Sequence, residues 1–171
     1  DHHWGPRVQL FLSEADLGFA EEINSCLSLE LPYEFMSYST NFSDPDPNDS
    51  GVQHLVSIDS GRINHRVTVE TFRGFIQNQL GFDINFPIET SDWLSFSEQR
   101  LKTIAEGEVL VDGADIAQLL RKFAYYPRDV WFYLMASAWA RIGQEEHLMG
   151  RAGSVGDEVG SALIGARLVR D

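Results

Sequence analysis

The run Arg66-Val67-Thr68-Val69-Glu70-Thr71-Phe72-Arg73-Gly74-Phe75-Ile76-Gln77-Asn78-Gln79-Leu80 decides the fold class. As far as Thr71, apolar Val67 and Val69 alternate with polar Thr68 and Glu70, the period of a half-buried strand. Beyond it Phe72, Phe75, Ile76 and Leu80 recur at helical spacing. The period changes from two to about 3.6 residues at Phe72. Upstream of this point strands and a helix are mixed; downstream every periodic segment reads as helix. The expected class is α+β, a small mixed sheet with flanking helices followed by a helical bundle. Residues 1–72 form the α/β part and 73–171 the helical part.

Working upstream, Val8-Gln9-Leu10-Phe11-Leu12 alternates and then turns fully apolar, as a half-buried or central strand does. Ser13-Glu14-Ala15-Asp16 resembles a capping box with Asp in place of Glu, and predicts a helix over 14–30 on Leu17, Ala20, Ile23 and Leu27. Pro32 closes it. Ser43 to Gly51 is rich in Asp, Pro, Asn and Ser and reads as an exposed loop. His54–Ile58 and Arg66–Thr71 read as short strands around the turn Asp59-Ser60-Gly61.

Downstream, helices are expected over Phe72–Leu80, Ser91–Phe96, Ser97–Glu106, Ala114–Phe123, Pro127–Met149 and Val155–Arg170. Pro127 takes a first helical position. On the long helix Val130, Leu134, Ala138 and Ile142 share one face with Trp131 and Trp139 beside it, which reads as core packing. The chain opens on Asp1 without a methionine and closes inside an apparent helix, so it reads as an excerpt of a longer protein.

Charge narrows the function classes. Thirteen bases against 26 acids leave a formal charge of −13, which disfavours nucleic acid and anionic membranes as partners, since both call for basic surface. The acids are unevenly spread: ten lie between Arg7 and Arg62, where there is no base, whereas from Gln118 onward seven bases meet six acids. No apolar run reaches the roughly 18 residues of a membrane span. A cytoplasmic location is the expectation. A single cysteine, Cys26, leaves no internal disulfide and no Cys-based zinc site, and reads as a buried thiol.

Two groups of residues could carry chemistry. Asp1 and His3 are alternate residues of a segment leading into a strand, so they share a face and could grip one divalent ion. Glu70, on the strand Arg66–Thr71, could face them across a sheet and add an oxygen ligand suited to Mg²⁺ or Mn²⁺. In the helical part, Asp157 and Ser161 lie four residues apart on one face with Glu158 beside them. Acids there also complement a helix dipole. The glycines at 150, 153, 156 and 160 read as a turn over Gly150–Gly156 that allows close approach of two helices or of a ligand. Arg7, Arg151 and Arg167 could each pair with a phosphate or form ordinary salt bridges.

At these residues the chain resembles a family. Asp1-His2-His3-Trp4-Gly5-Pro6-Arg7-Val8-Gln9-Leu10-Phe11-Leu12 with Thr40-Asn41-Phe42, then Tyr125-Tyr126-Pro127-Arg128-Asp129-Val130-Trp131-Phe132-Tyr133-Leu134, then Gln144-Glu145-Glu146, Gly150-Arg151, Gly156-Asp157-Glu158 and Ala166-Arg167-Leu168, are similar to the bacterial family called domain of unknown function 4037. That family in turn resembles nucleotidyltransferases of the DNA polymerase beta superfamily with a helical carboxy-terminal domain. The resemblance implies Asp1 as first metal ligand, His3 in the second carboxylate's place, Glu70 as third ligand, and a Gly-Ser segment ahead of Asp1. Asp1 and Glu70 are then the catalytic carboxylates. Arg7, Arg151, Asp157, Glu158 and Ser161 are the candidates for contacts with nucleotide or acceptor. The implied activity is metal-dependent transfer from a nucleoside triphosphate to a small-molecule or protein acceptor, with Mg²⁺ or Mn²⁺ as cofactor. The alternative is a catalytically inactive nucleotide-binding or regulatory protein of the same fold, because imidazole is a poorer Mg²⁺ ligand than carboxylate.

Overall fold

The computed structural model describes residues 7–113 and 115–170. It mixes α and β, with contacts dividing the chain into units Asp1–Phe86 and Pro87–Asp171. The change of period in the sequence places the division after Phe72 instead. The helix that follows Phe72 goes with the first unit because Phe72 and Phe75 pack their rings on Phe11, each with centroids 5.4 Å from it.

In the first unit, β1 (Val8–Leu12) pairs in parallel with β4 (Val67–Thr71) in the register Val8↔Val67 through Leu12↔Thr71. Between them run α1 (Ala20–Glu30) and a short antiparallel hairpin of β2 (Glu34–Phe35) and β3 (Tyr38–Ser39). The strand β4 passes directly into α2 (Phe72–Leu80). Thr71 makes that junction possible: its Oγ1 accepts from the Gly74 N–H at 3.0 Å, satisfying one of the helix's orphan donors. Gly81, at φ 69°, ends the helix in the left-handed conformation that glycine adopts without steric cost. His65 ties α1 to β4: the Val67 N–H donates to its Nδ1, so Nε2 carries the proton and donates to the Asn24 carbonyl.

Three sequence expectations change here. The helix expected over 14–30 begins as α-helix only at Ala20. Ser13 and Asp16 do bond each other, the Ser13 hydroxyl donating to the Asp16 carboxylate at 2.6 Å, but they close a turn that leads into a 3₁₀ segment, Leu17–Phe19. Gly18 disfavours regular helix in that segment. His54–Ile58 forms no strand, only an isolated bridge between Leu55 and Phe42. Side chains occupy the carbonyl a ladder would use: Val56 O accepts from Ser39 Oγ and Asn41 Nδ2. Cys26 is exposed rather than buried. The loop Ser43–Gly51 is closed by its own bonds, with the Asp46 carboxylate accepting from the Asn48 N–H at 2.8 Å.

The second unit holds α3 (Thr90–Ser95), α4 (Glu98–Ala105), α5 (Ile116–Arg121), α6 (Arg128–Ser154) and α7 (Glu158–Arg170). Its core is aromatic: Trp93 lies against Phe96, Phe123 and Tyr126, with Leu101, Ile104, Ile116, Leu120 and Val130 also buried. Both Asp112 carboxylate oxygens cap α5, accepting from the Ile116 and Ala117 N–H groups. Pro127 stands at the N-cap of α6 rather than at the first helical position expected of it, and the helix begins one residue later at Arg128.

Two readings of α6 are corrected. Its aromatic face is not core: Trp131 is 49% and Trp139 65% exposed, while Val130 alone on this helix is buried. The stripe Val130, Leu134, Ala138 and Ile142 takes the inward side, and the tryptophans lie beyond its edge. The expected turn over Gly150–Gly156 is helix as far as Ser154. The chain reverses at Gly156, φ 81°. There the Gly156 N–H bonds the Gly153 carbonyl and the Asp157 N–H the Ala152 carbonyl, the paired closure of a left-handed helix end.

Candidate functional site

The sheet of the first unit places Glu70. Phe11 and Glu70 are register partners, so both project on one side of β1–β4. That side is covered by α2, whose Phe72 and Phe75 meet Phe11 and whose Asn78 hydrogen-bonds the Glu70 carboxyl. Glu70 is half-buried. Burial raises its pKa above the ordinary glutamate value, and the Asn78 bond draws it partly back. The result is a carboxyl group with no positive partner among the described residues, under the first helix after the sheet. It is not the solvated strand face that a plain alternating pattern suggests.

Asp1 and His3 lie outside the described residues. Arg7 is exposed at the foot of β1. Gln9 and Phe11, the odd-numbered residues of β1, share the Glu70 side. Among the described residues, no three His, Cys, Asp or Glu side chains come together to hold a metal. Asn78 has no motif to announce it; it is found only because α2 folds back over β4.

The second cluster sits on the α6–α7 hairpin. Asp157 caps α7, its Oδ1 accepting from the Gly160 N–H at 2.8 Å. A Cβ at position 160 would stand 2.1 Å from Asp157 Oδ2, so glycine there makes room for the cap. Ser161 donates its hydroxyl to the Met149 carbonyl at 3.0 Å, tying α7 to α6. Gly153 lets Ser161 approach, its missing Cβ falling 3.6 Å from Ser161 Oγ, and Gly165 faces the Met149 sulfur. Glu145 accepts from Arg167 across the hairpin and lies 3.7 Å from Arg141 on its own helix. Glu158 and Arg151 are exposed. Arg151 makes no ion pair among the described residues.

The sequence-derived candidates are thus brought together in part. Asp157 and Ser161 hold the hairpin geometry with their own side chains, and Arg167 forms the ordinary salt bridge. Glu145 is the partner that sequence reading missed for Arg167; its spacing of four from Arg141 was the available signal. Asn41 of the Thr40-Asn41-Phe42 motif is buried, its Oδ1 accepting from the Asn64 N–H at 2.8 Å. Phe42 lies under the Arg66 guanidinium, 4.5 Å from the ring centre. That motif organises the chain between β3 and β4.

Residues 93–171 match the family model described as Domain of unknown function (DUF4037). The match falls within the second unit and covers the Tyr125–Leu134, Gln144–Glu146, Gly150–Arg151, Gly156–Glu158 and Ala166–Leu168 motifs. The amino-terminal motifs at 1–12 and 40–42 lie outside it. No curated protein matches the chain, and no solved structure matches it. No described helix is long and apolar enough to cross a membrane.

Proposed function

We propose that the chain is a metal-dependent nucleotidyltransferase-like protein, acting on a small-molecule or protein acceptor, in which Glu70 is a cation ligand alongside Asp1 and His3. The observation that supports this reading is the half-buried Glu70 carboxyl, placed on the helix-covered side of the parallel pair and desolvated without, among the described residues, a cationic partner that would offset the cost. A carboxylate in that state fits a hard divalent cation, Mg²⁺ or Mn²⁺, which takes oxygen ligands. When bound, such a cation neutralises triphosphate charge and stabilises the departing pyrophosphate. Asp1 and Glu70 are the catalytic carboxylates of this reading. Asn78 positions the Glu70 carboxyl. Arg7 and Arg151 are phosphate contacts, and Glu158, Asp157 and Ser161 are contacts for nucleotide or acceptor. The acidic composition favours these partners over nucleic acid.

The second reading, a nucleotide-binding or regulatory protein without catalysis, is favoured by His3 at a carboxylate position. One series of measurements separates the two. Nucleoside triphosphates are added with and without Mn²⁺ while the melting temperature is followed, and released pyrophosphate is then measured. Stabilisation that requires Mn²⁺, is lost in Glu70→Gln and is accompanied by pyrophosphate supports transfer. The same stabilisation without pyrophosphate supports binding alone. Mn²⁺-dependent stabilisation undiminished in Glu70→Gln removes Glu70 from the site.

A further inference from the structure

The first half of α6 carries a second apolar face. From Val130 to Ala140 the helix has no charged residue. Val130, Leu134 and Ala138 take its inward side. On the other side Trp131, Phe132, Met135 and Trp139 lie at helical spacing and are 49%, 48%, 42% and 65% exposed. A helix apolar on all sides is one that becomes buried, and adjoining large apolar side chains open to water mark a contact surface. Gly143 continues the stripe, and Arg128 and Glu146 close it as its only charges, one at each end. Neither makes an ion pair among the described residues. The Arg128 guanidinium stands over the Phe132 ring, 5.2 Å from its centre, and a guanidinium so placed still has in-plane N–H groups to donate to a carboxylate.

We propose that this face is the contact between two copies of the chain, their α6 helices running antiparallel about a two-fold axis that passes midway between Met135 and Trp139. A two-fold contact has to be complementary to itself, and the order of residues along this stripe is. Setting Arg128 of one copy opposite Glu146 of the other places Trp131 opposite Gly143 and Met135 opposite Trp139. All three pairs come from one alignment. Opposite charges meet at both ends, an indole enters the space where a side chain is missing, and a thioether meets an indole beside the axis. Parallel copies would instead set Arg128 on Arg128 and Trp131 on Trp131. An unrelated partner has no use for a stripe complementary to its own reversal, so the pattern selects a second copy.

Area and charge agree with this occupant. At the size of such side chains, Trp131, Phe132, Met135 and Trp139 leave about 450 Å² open on each copy. With the residues that flank them, two copies would cover about 1,200 Å² in total, the lower edge of specific protein interfaces. The dimer therefore forms at micromolar rather than nanomolar concentrations. Thirteen of the acids, against four bases, lie in Asp1–Phe86, whereas Pro87–Asp171, which carries the stripe, has thirteen acids and nine bases.

Sedimentation equilibrium of the full 171-residue chain across micromolar concentrations tests the proposal. A monomer–dimer equilibrium is expected. Gly143→Leu is the sharpest variant. A Cβ at 143 meets nothing within 4 Å in the single chain, so the fold should stand by circular dichroism while the space for Trp131 is filled. The dissociation constant should rise at least about tenfold. Trp139→Glu should raise it as much by setting like charges beside the axis. Arg128→Glu and Glu146→Arg should each weaken the dimer, and the double swap should restore it to within about twofold of the parent. Leu163→Glu, on the exposed side of α7, should leave it unchanged. A chain monomeric at every concentration overturns the proposal; a blue shift of its tryptophan emission on neutral phosphatidylcholine vesicles would then assign the face to lipid. A dimer that survives both Gly143→Leu and Trp139→Glu, or one lost in Leu163→Glu, also overturns it. A double swap no tighter than the single changes overturns the antiparallel register.

Discussion

Gly160 and Asp157 should behave as one unit, and a double-mutant cycle measures this. Asp157 Oδ1 accepts from the Gly160 N–H at 2.8 Å, and a Cβ at 160 would collide with Asp157 Oδ2 at 2.1 Å. The carboxylate is the free end of a flexible side chain, so Gly160→Ala is accommodated by swinging it away, at the expense of the cap. Losing such a cap costs about 1 kcal/mol. Replacing a helical glycine by alanine returns about 1 kcal/mol. Gly160→Ala alone should therefore be nearly neutral, and Asp157→Ala alone should cost about 1 kcal/mol. In the Asp157→Ala background the cap is already gone, so Gly160→Ala should stabilise by its full propensity gain of about 1 kcal/mol. The double variant then matches the parent, a coupling of about 1 kcal/mol where independent sites add within about 0.3–0.5. Hydrogen exchange of the α7 amides, together with urea unfolding followed by Trp131 and Trp139 fluorescence, reads these differences. Additive effects, or an Asp157→Ala variant as stable as the parent, would refute the reasoning. A loss of nucleotide binding in Asp157→Ala larger than its stability loss would assign the residue a ligand contact as well as a cap.

Two other outcomes follow from the packing and the charges of the first unit. Ile76 is fully buried beneath the sheet of the first unit, so Ile76→Ala should cost about 2–5 kcal/mol, read as lost amide protection in β4. A cost below about 1 kcal/mol would mean that α2 does not close-pack on the strands. Titration should move two carboxyls in opposite senses. Asp83 is held below its ordinary value of 3.8 by bonds from the Arg73 guanidinium, so its contribution is present above that value and lost as pH falls through the lower folded pKa. Glu70 is raised above 4.5 by burial, so its contribution is present below that value and lost as pH rises through the higher folded pKa. Unfolding at a series of acid pH values should accordingly show the advantage of the parent over Asp83→Asn shrinking toward low pH. Glu70→Gln should gain on the parent as pH rises toward neutrality. The reverse trend in either variant would contradict the assigned environment.

Much of the local structure was legible in the residues themselves. The switch of period at Phe72 places β4 and α2 within a residue of their observed bounds, because alternation and helical spacing are properties of adjacent side chains. The last helix, expected from Val155, begins at Glu158, yet Asp157 was legible as an acid at its start because its cap reaches only three residues along the chain. Where long-range bonds compete with local pattern, sequence reading fails. His54–Ile58 reads as a short strand, yet Asn41 and Ser39 take the Val56 carbonyl from a distance, so no ladder forms. The tryptophans of α6 look like core because aromatic residues are usually buried, but the helix they sit on is covered along another stripe.

What the sequence determined by itself is the inventory and its local order: an acidic chain, a strand running into a helix at Phe72, and a glycine-hinged pair of carboxy-terminal helices. Composition and nearest-neighbour spacing suffice for these, because each depends on contacts within a few residues. The tertiary structure alone decided that Phe11 and Glu70 share a side of the sheet, that Asn78 reaches the Glu70 carboxyl, and that Arg167 meets Glu145. Each joins residues on different elements. Their meeting depends on strand register and helix approach, which fix burial and hence the cost of a charge, and no local periodicity encodes either.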